Sequence, residues 1–198
     1  MKPRSKPTWK ELLRVLQNGS ELDGWEAAKA LDRCHSRECQ DALVALMRGY
    51  DSAGVSQRAA YALSWMCDRR FTDDLIECVR DRRQHEAVRG QAAEGLGTLF
   101  DHASPRSRGW RAAEDALLEG LSDASPTVRF WCCYGLGTLR SQRAIAPLEH
   151  LREHDSSLAP GWWYVREEAA DALCWIAGKP GEDRVPVSQR SPENQRAE

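Results

Sequence analysis

The chain has no apolar run approaching the roughly eighteen residues that cross a membrane. Its basic start, MKPRSKPTWK, leads into no hydrophobic stretch of the signal-peptide kind. We therefore expect a cytoplasmic protein with no membrane partner. An excess of one charge is also lacking: 28 Lys and Arg stand against 30 Asp and Glu, a net charge of −2. That balance gives no general pull towards phosphate backbones, so nucleic acid is not the expected partner. Paired cysteines are missing as well. Seven is an odd number, and the adjacent Cys132 and Cys133 suit reduced thiols packed as small apolar groups better than a disulfide framework. No Gly-rich phosphate loop is present, because Gly95-Leu96-Gly97 and Gly135-Leu136-Gly137 fall inside helical patterns where they permit close packing. No nucleophile elbow occurs either.

What is present is a repeat. With 41% apolar residues over 198 positions the chain can bury a core as one domain. Within it the pattern small-small-x-small-Leu recurs at Ala27–Leu31, Ala59–Leu63, Ala92–Leu96, Cys132–Leu136 and Ala169–Leu173. From the second copy on, a valine stands four positions ahead of the first small residue: Val55, Val88, Val128 and Val165. An amphipathic segment precedes each copy, from Trp9 to Leu16, Asp41 to Met47, Asp74 to Val79, Ala113 to Leu121 and Ala144 to Leu151. A period of roughly 35 residues with two helices in each is the signature of a solenoid, whose helix pairs bury their apolar faces only by stacking. Thr8 with Glu11 and Asp23 with Glu26 have capping-box spacing, and Ser125-Pro126 supplies a cap and an N1 proline. Small residues let paired helices approach closely while the leucines fill the space between repeats.

The stretch Asp123 to Arg129, continued by Gly135-Leu136-Gly137-Thr138-Leu139 and Ala144-Ile145-Ala146-Pro147-Leu148, resembles the HEAT family, and in particular the short HEAT-like repeats of phycobilisome lyases. The resemblance covers about residues 8–177. It implies an all-α chain, an α-solenoid of about five helix pairs, with the second helix of each pair lining a concave surface. It also implies a scaffold or adaptor that binds other proteins, the usual work of such arrays, while some members are lyases or DNA glycosylases. Residues 1–7 are expected to be flexible. Residues 178–198, rich in Pro, Gly and charge, are expected to form a disordered tail.

At 100° per residue, the face of each second helix opposite its buried stripe can be read off. It carries Trp25, Arg58, Tyr61, Trp65 and Glu94 in the first three repeats, then Phe130, Trp131, Tyr134, Glu168, Asp171 and Trp175 in the last two. Trp162-Trp163-Tyr164 are expected at the start of the last second helix. Aromatic anchors with a few charges are the makeup of binding hot spots. Scattered rings packed between repeats are the plainer explanation for any single Trp. For the set as a whole, we expect a face that binds a protein or peptide without catalysis, cofactor or metal. An enzyme of the bilin-lyase or DNA-glycosylase kind is the alternative, with Trp131 and Asp171 as the aromatic and acidic pair of the latter.

Two motifs suggest metal chemistry. His150-x-x-Glu153-His154 matches the pattern of inverted zinc peptidases. The buried side of its helix is set by Ala144, Ile145, Leu148 and Leu151, and both histidines fall on the far side, facing water. A hydrolytic zinc also needs a third ligand and a sheltered cavity. Cys34-His35 and Cys39 lie at a helix junction but lack a fourth converging ligand, so small packed thiols are the simpler reading.

Overall fold

Several helices begin where a short polar side chain, Thr8, Ser20, Ser52 or Ser107, takes up a free N–H group, whereas Ser125, expected as a cap, makes no such bond. Thr8 and Glu11 form the expected capping box on α1 (Trp9–Asn18). No box forms at Asp23, which lies inside α2 (Glu21–Leu31); Ser20 caps that helix by accepting from the Asp23 N–H. The structure, a computed structural model, describes residues 6–49 and 51–190. The expectations for residues 1–5 and 191–198 lie outside the described residues. After α2 come α3 (Arg37–Arg48), α4 (Ala53–Trp65), α5 (Thr72–Arg80), α6 (Glu86–Phe100), α7 (Arg108–Gly120), α8 (Pro126–Thr138), α9 (Ile145–His154) and α10 (Val165–Ile176). Apart from an isolated bridge between Leu158 and Tyr164, no β-structure occurs among the described residues. The chain is an all-α solenoid of helix pairs.

Two compact units divide at Leu99 and Phe100. In the first, α1 packs on α2 and α3 on α4, while α2 also lies against α4 and α3 against α5. In the second, α7 packs on α8 and α9 on α10, with α8 against α10. Second helices thus stack on second helices within each unit, as the repeat predicts. The small residues set the spacing. A Cβ at Gly137 on α8 would lie 2.8 Å from Ala172 Cα on α10, and one at Gly95 on α6 would collide with Ser64 of α4. The repeat leucines Leu31, Leu63, Leu96 and Leu136 are fully buried, each contributing about 1.5–3 kcal/mol by leaving water.

Arginines near the starts of the second helices stitch the pairs together. Arg58 Nη2 donates to Leu16 O in the last turn of α1 at 3.0 Å, and Arg89 Nε donates to Val79 O in the last turn of α5 at 2.9 Å. A cation on carbonyls left free at a helix end satisfies both the hydrogen bonds and the dipole. Arg129 Nη1 bonds Asp123 O at 2.7 Å, while its Nε and Nη2 hold Asp155 of the following repeat at 2.7 and 3.2 Å.

The C-terminal segment departs from its expected disorder. Gly178, at φ +72°, ends α10 in the left-handed conformation, and the Lys179 N–H bonds Cys174 O at 2.8 Å. Residues 179–190 then run back along α10 as a strap. Arg184 pairs with Asp171 (2.8 Å) and Glu167 (3.2 Å), and Arg190 pairs with Glu167 (2.9 Å). The composition that suggests a tail takes no account of these specific charge partners.

Candidate partner-binding site

In the first unit, Trp25 of α2 meets Tyr61 of α4 edge to face at 5.5 Å, and Tyr61 meets Trp65 at 5.9 Å. Trp65 is exposed, Trp25 and Tyr61 half-buried. Burial raises the Tyr61 pKa, against the opposing charge of Lys29. Arg58 and Glu94 do not join an open face. Arg58 is buried beside Gly24, where a Cβ would lie 2.7 Å from its Nε. Glu94 is half-buried, its pKa raised by burial against a hydrogen bond from Gln91.

The second unit holds the larger constellation. After α9, the loop narrows through the Leu158–Tyr164 bridge and turns at Gly161, whose φ is +84°. It presents Trp162 and Trp163 ahead of α10, which starts at Val165, rather than on the helix itself. Trp162 packs against Trp131 of α8 at 5.1 Å, Trp131 against Tyr134 at 5.6 Å, and Tyr134 against Trp175 of α10 at 5.6 Å. All three contacts are nearly perpendicular, the favoured edge-to-face arrangement. Trp162 is exposed, and Trp131, Tyr134 and Trp175 are half-buried. These four rings form one partly open row.

Phe130, expected in this row, is 1% exposed beneath it, enclosed by Trp131, Trp162 and Trp163 at 5.3 to 6.0 Å. The loop folds over it, which the period of α8 does not register. Glu168 and Asp171 are also buried instead of open. Asp171 accepts from the Glu182 N–H and from Arg184. Glu168 is 1% exposed, and its Oε2 accepts from the Trp163 indole N–H at 2.9 Å. Its Oε1 has no hydrogen-bond partner. Burial, with the nearby Asp171 charge adding to it, pushes the Glu168 carboxyl up to about 8 despite the indole bond. Glu167 moves the other way. Burial would raise it, but Arg190, the Tyr164 N–H and Arg184 together hold it below the usual carboxylate range.

Sequence reasoning missed Arg184 and Arg190. Two arginines six positions apart, following a helix that carries three carboxylates in Glu167–Asp171, were the available signal.

The two metal motifs do not assemble into a centre. His150 and His154 stack on each other at 4.5 Å on the exposed side of α9. Cys39 is buried and its thiol is pushed up to about 12, by burial first and then by its hydrogen bond with Cys34. Among the described residues no three His, Cys, Asp or Glu side chains group in a way that could hold a metal ion.

The model of HEAT repeats matches residues 10–97 and 81–174, nearly the whole helical array. The chain belongs to the HEAT-repeat family. This HEAT protein is 29% identical over 122 residues to the deoxyhypusine hydroxylase of Candida albicans, a match covering 60% of this chain and 35% of that enzyme. It is 43% identical over 51 residues to the deoxyhypusine hydroxylase of Bos taurus, covering 26% and 17%. The HEAT array thus spans about a third or less of the curated relatives it matches. Its fold is similar to that in the complex of CpcE and CpcF of phycocyanin lyase from Nostoc sp. PCC7120, with a TM-score of 0.67 and 24% identity over 83% of this chain and 96% of that one. The expectation that this HEAT protein is not an enzyme is corrected here, because the curated relatives are named hydroxylases. The repeat pattern led to that expectation because it reports packing, and packing is shared by binding and catalytic members alike.

Proposed function

We propose that this HEAT-repeat protein serves an enzyme reaction on a protein substrate, with the aromatic row of the second unit holding that substrate. The supporting observation is the chain of edge-to-face contacts Trp162–Trp131–Tyr134–Trp175, with Trp162 38% exposed at its end. Rigid aromatic side chains that are partly wet and already ordered lose little entropy on binding, which makes them effective anchors.

The reaction class of the curated relatives is hydroxylation. Inserting oxygen into a C–H bond needs an oxidising centre, which proteins supply as a metal or an organic cofactor. The described residues offer no three-ligand His, Cys, Asp or Glu group for a metal, so they do not fit that requirement and no hydroxylation step is drawn through them. Glu168, whose carboxyl burial pushes up to about 8, is 1% exposed and bonded to the Trp163 indole, so no proton-transfer step is drawn through it either. The DNA-glycosylase alternative is less well supported, since Asp171, its acidic residue, is engaged by Arg184 and the Glu182 N–H.

The test is capture from the native host by tagged full-length protein, compared with W131A/W162A. We expect a specific protein to be retained by the wild type at least tenfold over the double variant, with helical circular dichroism unchanged. On incubation its mass should shift, marking a covalent modification. Identical capture by both proteins would overturn the role of the row, and an unmodified partner would overturn the enzyme reading.

A further inference from the structure

Of the five histidines, His35, His85 and His102 lie outside the helices, while His150 and His154 share one face of α9. Neither the packing of the second unit nor the aromatic row uses this pair. α9 buries Leu148 and packs on α10, and both imidazoles stand exposed on its other side. Their ring centroids are 4.5 Å apart and their planes 27° from parallel. An ion held by two imidazole nitrogens, each about 2 Å away, needs those nitrogens roughly 3 Å apart. Exposed rings that already lie side by side reach that separation by turning about their side-chain bonds, with α9 left in place.

A hydrogen bond fixes which nitrogen of His154 is available. Its Nδ1 lies 2.9 Å from the His150 backbone oxygen. A carbonyl oxygen only accepts, so Nδ1 carries the proton and Nε2 of the neutral ring keeps its lone pair. Metal-bound histidines characteristically donate their other ring N–H to a carbonyl or carboxylate, which holds the ring and raises its basicity. His154 makes that bond before any ion arrives. The pair also stands at the C-terminal end of α9, where the helix dipole favours a cation. Beside the rings, the exposed carboxylates of Glu149 and Glu153 face one cation, Arg152, which lies 3.6 Å from Glu153.

We propose that His150 and His154 chelate a divalent transition-metal ion on the open face of α9, through Nε2 of His154 and a ring nitrogen of His150, with water in the remaining positions. Imidazole suits nickel, copper and zinc, whereas magnesium and calcium take oxygen ligands. The second imidazole adds to the first as an intramolecular ligand, so the pair binds far more tightly than either ring alone. Two protein ligands on an exposed surface make a chelate and not the oxidising centre that hydroxylation needs. The site therefore stands or falls independently of the reaction proposed above.

The probe is Ni(II), titrated calorimetrically into the full chain carrying no histidine tag. One ion should bind per chain, and H150Q and H154Q should each weaken that binding at least tenfold. H35Q, which changes the histidine beside Cys34, should leave the affinity as it is. Mg(II) at the same concentration should not bind. Undiminished nickel binding by H150Q/H154Q would sink the proposal, as would its loss in H35Q, which would move the ion to the cysteines. Equal binding of Mg(II) would also overturn it, by showing a diffuse attraction to the carboxylates. The wild type supplies a check that needs no variant. Ni(II) should shield His150 and His154 from diethyl pyrocarbonate, read by peptide mass, while His35, His85 and His102 react as before. Unchanged reaction of His150 and His154 in saturating nickel rules out the chelate.

Discussion

Glu168 concentrates the electrostatic tension of the second unit in one side chain. Its folded pKa of about 8 lies above the usual carboxylate range, so between that range and pH 8 the folded chain binds a proton that the unfolded chain has lost. The contribution is therefore fully present at pH 4 and is lost as pH rises through 8, at a slope of at most about 1.4 kcal/mol per pH unit. Glu168→Gln keeps the shape, keeps an acceptor for the Trp163 indole and cannot ionise. We expect its urea midpoint to match the wild type near pH 4.5 and to exceed it increasingly between pH 5 and 8. A constant difference across that range would show that Glu168 stays ionised in the fold. Asp155 has the opposite sign. Burial would raise it, but bonds from Arg129 and Ser157 outweigh that and hold it low, so its contribution is lost on acidification.

At the scale of the helix, the contact of α8 with α10 depends on what is absent from Gly137. A methyl group there would meet Ala172 Cα at 2.8 Å and the Trp175 ring at 2.6 Å, both in an interior that cannot yield easily. Gly137→Ala should cost about 1–3 kcal/mol by overpacking, outweighing the helix propensity that alanine gains. Thermal melting checks this, and a raised melting temperature would mean that α10 shifts freely. The close-packed pair was legible in the sequence because small residues at a fixed offset from a leucine follow the 3.6-residue period. Phe130 and Asp171 were not legible as buried, since what covers them is aperiodic: the loop carrying Trp162 in one case and the strap carrying Arg184 in the other. A wheel projection sorts residues by angle within one helix, and an ion pair thirteen positions away leaves no trace in it.

For the molecule as a whole, the repeat architecture makes stability a sum of helix-pair terms and nearest-neighbour terms. Each unit has a core of its own, with Leu31, Leu43 and Leu63 in the first and Leu117, Leu136 and Leu148 in the second. Family membership fixes this modular economy without fixing a reaction, because the matched relatives extend well beyond the part they share with this chain. A lesion should therefore stay local. Leu63 is fully buried on α4, which packs against α1, α2 and α3. Leu63→Ala should cost about 2–5 kcal/mol from lost burial and the cavity left behind. Under nearest-neighbour coupling that loss appears as faster amide hydrogen exchange across α1 to α4, while α8 and α10 keep the protection of the wild type. Exchange followed by mass spectrometry resolves the helices separately. Equal loss of protection in α8 and α10 would instead show one cooperative block, in which a substrate held on the second unit would stabilise the first to the same extent.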